Sequence, residues 1–216
     1  MSKPYSKHLT SLPIFLGDAP NDRPRTVVCF GTARGGTSMV AGAILGLGVP
    51  MGPDLGRNLE DPEFNFDRQN KPLEKFVDHA RAVIAARNAA LGVWGWKFPN
   101  AGRYLQQIIG DIRAPHLVCV YRDPVPMALR RTKTAAGAGS FIATRLRAQI
   151  RNTALVEEIG APCLMVSYEK AAAYPLVFLQ ELSAFLNLPL PAHVEEIVSF
   201  MKPGSYKAPD DLLSHL

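Results

Sequence analysis

Cysteine is scarce in this chain, with 3 among 216 residues. A small, odd number cannot build a disulfide framework, so stability has to come from an apolar core. Cys29, Cys119 and Cys163 stand in apolar runs beside Val28, Val118 and Leu164, which marks them as buried, reduced thiols. Long hydrophobic runs are missing too. No segment approaches the roughly 20 apolar residues of a membrane span. The apolar run at residues 12–16 is short and broken by Pro13, unlike a secretion signal. No membrane span is expected, and a cytoplasmic location is. The 5 histidines are scattered and no His/Cys cluster has metal-ligand spacing, so no metal is expected. Charge of one sign is only slightly in excess, 24 Lys+Arg against 19 Asp+Glu, a formal net charge of +5. That falls short of a nucleic-acid binder's basic stripe, and no nucleic-acid partner is expected. It permits an anionic ligand.

What is present is a globular composition, 47% hydrophobic and 20% charged. At roughly 100–200 residues per domain, the length fits one large domain. The expected division is an N-terminal extension over 1–25, an α/β domain over 26–202 and a C-terminal tail over 203–216. No internal repeat or low-complexity tract interrupts it.

Short apolar runs alternate with longer helical patterns, the signature of a largely parallel sheet flanked by helices. Residues 26–31 (TVVCFG), 92–98 (GVWGWKF), 115–121 (PHLVCVY) and 163–166 read as strands. Helices are expected over 37–47, 71–90, 101–110, 125–131, 142–159, 174–186 and 192–201. Gly137 and Gly139 loosen the stretch before residue 142. Residues 48–70 read as one long loop, and a loop of that length in a compact domain is usually functional.

The sharpest motif joins the first strand to the first helix: Gly31-Thr32-Ala33-Arg34-Gly35-Gly36-Thr37-Ser38. Glycines permit the tight turn, and the N–H groups at a helix start form an anion site. Thr37 and Ser38 add hydroxyl donors. The spacing is that of a P-loop, which makes the expected domain P-loop NTPase-like. The lysine that would reach the β- and γ-phosphates of a triphosphate is replaced by Thr37. The cation is Arg34, whose forked guanidinium suits a terminal phosphate or sulfate.

Arg34-Gly35-Gly36-Thr37-Ser38 resembles the loop of bacterial-type sulfotransferases that use 3′-phosphoadenosine 5′-phosphosulfate (PAPS), in which it cradles the phosphosulfate. Gly35 replaces a serine there, a hydroxyl contact that is lost or supplied by Thr32. Val118–Pro124 (VCVYRDP) is similar to the family's strand end whose arginine, here Arg122, binds the 3′-phosphate. A serine that follows in the family is Arg130 in this chain. Trp94–Pro99 (WGWKFP) resembles the segment whose lysine, here Lys97, lies close to the transferring sulfuryl group. Pro99 occupies the place of the cytosolic branch's catalytic histidine. Asp61–Asp67 (DPEFNFD) resembles the acidic segment of other branches, which implies Asp67 as general base, with Glu63 the fallback. Ser167-Tyr168-Glu169-Lys170 is similar to the strand end whose tyrosine, here Tyr168, lies near the adenine.

The resemblance thus implies sulfuryl transfer from PAPS, without a metal, to a hydroxyl or amine of a carbohydrate or small molecule. Two alternatives stand beside it: a Mg-ATP-dependent small-molecule kinase or nucleotide-binding P-loop protein, and a non-catalytic sulfotransferase-like binding protein.

Overall fold

The computed structural model describes residues 9–16, 23–202 and 204. Apart from Gly204, the tail expected over 203–216 lies outside them.

The two-residue period of strands explains the core. In β2 (Arg25–Phe30) every position is buried. Val27 and Cys29 enter one apolar cluster, Val28 and Phe30 another. In β4 (Pro115–Tyr121) Val118 and Val120 divide from Leu117 and Cys119 in the same way. Runs that are continuously apolar are therefore strands covered on both faces. The first cluster is closed by α1 (Thr37–Gly46), α8 (Pro175–Leu186) and α9 (Val194–Met201). The second is closed by α3 (Leu73–Ala90) and the short α4 (Leu105–Ile108).

The sheet has five strands in the order β1-β5-β4-β2-β3, with β1 at Ser11–Ile14, β3 at Val93–Lys97 and β5 at Cys163–Ser167. All pairings are parallel except that of β1 with β5. The architecture is the expected α/β domain with a mostly parallel sheet. The chain leaves β2 toward β3 on one side and returns to β4 on the other, so the carboxyl end of β2 is a topological switch point. Ligands of open α/β sheets bind in the crevice outside such a point.

Several elements differ from the sequence expectation. The helix expected over 101–110 is two 3-10 turns around α4, and an additional helix spans Tyr168–Ala173. β1 comes from within residues 1–25. It is held by the Glu181 carboxylate on α8, which accepts from Thr10 N (3.1 Å), Thr10 Oγ1 (2.6 Å) and Ser11 Oγ (2.6 Å). The helix expected to start at residue 142 is α6 (Ala135–Ile159), running through both glycines, with Thr134 Oγ1 accepting from Gly137 N at 3.2 Å. An N-cap and a 25-residue length offset a glycine cost of roughly 1 kcal/mol each. The long loop contains α2 (Phe66–Gln69), capped by Asn65.

Candidate active site

The loop between β2 and α1 sits at the switch point and forms one wall of a cavity of about 700 Å³. Arg34, Gly36, Thr37, Ser38, Lys97, Arg122, Arg130 and Tyr168 all line it. Residues that the sequence spreads over 135 positions are brought together because β2, β3, β4 and β5 are parallel and end on the same side.

The loop is built for close approach. Gly36 has φ +87°, and a Cβ there would lie 2.0 Å from the Tyr168 ring. A Cβ on Gly35 would lie 2.7 Å from the Thr32 carbonyl. Arg34 holds a left-handed backbone at φ 67°, uncommon outside glycine. α1 starts after Gly36 without a side-chain cap. Its first-turn N–H groups, the positive end of the helix dipole, therefore have no side-chain acceptor at the cavity wall. Thr32 is buried and does not line the cavity, so it does not replace the missing loop serine.

Arg122 follows β4. Its Nη1 donates to the Arg34 carbonyl at 3.0 Å, and its guanidinium lies 4.1 Å from the Tyr168 ring centroid. Tyr168 opens α7 (Tyr168–Ala173) directly after β5. Gly36, Tyr168 and Arg122 thus form one layer across the loop and two strand ends. Arg122 Nε is buried with no hydrogen-bond partner among the described residues, and the nearest carboxylate, Glu169, is 3.9 Å away. The Arg122 guanidinium lines the cavity wall, and its positive charge favours an anion there. Asp123 is instead the N-cap of α5 (Pro124–Arg131), accepting from Val125 N at 2.8 Å.

Lys97 ends β3 and is 1% exposed. Its Nζ donates to the Asn58 carbonyl at 2.6 Å and to Glu60 Oε1 at 3.1 Å. Burial lowers its pKa, and the Glu60 charge and hydrogen bond oppose that shift. Ser38 Oγ donates to the same Asn58 carbonyl at 2.9 Å. One backbone oxygen therefore ties the long loop to both the phosphate-type loop and the lysine.

The two acids expected as base stand outside the cavity wall. Asp67 lies on α2, more than half exposed and ion-paired with Arg103, and does not line the cavity. Glu63 is paired with His79 on α3 and is likewise outside it. Two anchors turn these acids away. Tyr104 OH donates to the Phe64 carbonyl at 2.8 Å, and the Phe64 ring stacks on Trp96 at 4.1 Å. Glu60 is the carboxylate that lines the cavity among the described residues. Sequence reasoning missed it. The available signal was its position beside Leu59, which is buried and sends its polar neighbours outward. Arg57, Arg131 and Phe141 also line the cavity and were not singled out. Trp94 and Phe64 are buried in the core and are not ring-stacking platforms for a ligand.

The fold is one that solved sulfotransferase structures share. The chain is similar in structure to the sulfotransferase domain of the Synechococcus PCC 7002 olefin synthase, with a TM-score of 0.55, 18% identity and 91% and 88% of the two chains covered. It is also similar to the sulfotransferase STF9 from Mycobacterium avium, with a TM-score of 0.51, 11% identity and 92% and 76% covered. No protein-family model and no curated protein sequence matches the chain.

Proposed function

We propose that the protein is a PAPS-dependent sulfotransferase acting on a small-molecule or carbohydrate hydroxyl or amine. The carrying observation is the convergence of Arg34, Lys97 and Arg122 on one cavity beside an uncapped helix start. Gly36 at the uncapped helix start and the Arg122 guanidinium on the wall support an anionic nucleotide. PAPS supplies a sulfuryl group on a good leaving phosphate.

The chain's own residues do the rest. The α1 N–H groups and Arg34 hold the phosphosulfate end, and Arg122, joined by Arg130, holds the 3′-phosphate. Tyr168 keeps Arg122 in place and borders the nucleotide. Lys97 places a positive charge where negative charge builds during transfer, the kind of electrostatic stabilisation that dominates such steps. Glu60 takes the acceptor's proton, held next to Lys97 by their hydrogen bond.

Two measurements test this. Adenosine 3′,5′-bisphosphate at about 100 times its Kd adds about 2.7 kcal/mol of stability, seen as a raised Tm. Mg-ATP at the same concentration leaves Tm unchanged, since the loop lacks the lysine that reaches the outer phosphates. Equal stabilisation by Mg-ATP defeats the proposal in favour of a kinase. In a labelled-donor assay, Arg34→Ala and Lys97→Ala each lower transfer by about 10²–10³-fold.

A further inference from the structure

The donor leaves part of the cavity's positive charge unanswered. A nucleotide with a phosphate monoester and a phosphosulfate carries about four negative charges, matched by Arg34, Lys97, Arg122 and Arg130. Arg57 and Arg131 also line the cavity, and neither is ion-paired among the described residues. Among the described residues, the one carboxylate on the wall is Glu60, which already serves Lys97. The helices α5 and α6 beside it add positive charge. Residues 124–156 contain six Lys/Arg and no Asp or Glu.

These two arginines reach the cavity from two different elements. Arg57 adjoins Asn58, whose carbonyl is clamped by Ser38 and Lys97, at the transferring end of the cavity. Arg131 ends α5 and lines the cavity wall with Phe141, and burial followed by the nearby Arg131 charge lowers the pKa of Arg145 on α6. Like charges gathered without counter-ions raise the free energy of the empty site and lower it for an incoming anion. Guanidinium forks favour a planar, two-oxygen partner.

Resting on the sulfotransferase reading, we infer that the acceptor itself is anionic: besides its nucleophilic hydroxyl or amine it carries a carboxylate, phosphate or sulfate, bound by Arg57 and Arg131.

The test is calorimetric and needs no turnover. Protein saturated with adenosine 3′,5′-bisphosphate is titrated with glucuronate, glucose 6-phosphate and glucose. The two anionic sugars bind at least tenfold more tightly than glucose. The double variant Arg57→Gln/Arg131→Gln loses that preference while its Kd for the bisphosphate stays within threefold of the parent value. Glucose binding as well as the anions overturns the inference. So does competition between the anions and the bisphosphate, which would make Arg57 and Arg131 donor contacts. If the bisphosphate itself does not bind, the PAPS reading fails on its own. The same titration on the free protein then decides whether the two arginines form an anion site.

Discussion

In the proposed reaction Lys97 stabilises the charge that builds during transfer, and its environment predicts a pH signature. Burial favours its neutral form, while Glu60 favours the charged form. If the ammonium is the working species, activity is lost as pH rises through its lowered pKa. The alkaline limb of kcat/KM therefore lies below the range of an ordinary lysine. Glu60→Gln removes the opposing charge and moves the limb to still lower pH. A pH profile of transfer checks this, and an identical limb in parent and variant would rule it out. The three thiols do not compete for this role. Burial pushes Cys29 and Cys119 up to about 12 and raises Cys163 as well, so none is a ready nucleophile. At this scale Lys97 and Arg122 were legible from the sequence, since a cation at a parallel strand's carboxyl end faces the ligand crevice. Glu60 was not, because it lies just outside DPEFNFD and is brought to the cavity by its bond to Lys97, 37 positions along the chain.

Among the elements, β1 has the clearest dependence on one side chain. Its strand is short and at the sheet edge, pairs with one neighbour and at its entry donates three hydrogen bonds to Glu181. Glu181→Ala leaves those donors unmet and costs about 2–3 kcal/mol. The expected outcome is a lower Tm together with faster amide exchange over residues 11–14. Exchange unchanged at those residues would show that the β5 ladder alone holds the strand. The buried Arg25 secures the other flank, donating through Nη2 to the Leu186 and Asn187 carbonyls at the α8 C-terminus, where a cation also meets the helix dipole favourably. Neither link was readable from local patterning, since each joins residues over 150 positions apart.

For the whole molecule, the net charge of +5 understates how unevenly charge is laid out. Residues 124–156 alone carry a larger positive excess, on the α5–α6 pair that borders the cavity. Exposed charges act over about 10 Å at 0.1 M salt, so this pair adds attraction for any anion entering the site. Affinity for adenosine 3′,5′-bisphosphate is expected to fall at least tenfold from about 0.05 M to about 0.5 M salt as screening tightens. A salt-independent Kd would mean that apolar contacts dominate binding.

The amino-acid sequence by itself determined the layered sheet, the glycine-rich turn after the first core strand with Arg34 inside it, and the placing of Lys97 and Arg122 at strand ends. Those features follow from periodicity and from steric limits within a few residues. Only the tertiary structure decided which carboxylate serves the cavity, which arginines enclose it and that the sheet gains an edge strand from residues 11–14. Each of these depends on a hydrogen bond or stacking contact between distant segments, such as Asn58 with Lys97 or Phe64 with Trp96, whose strength local sequence does not encode.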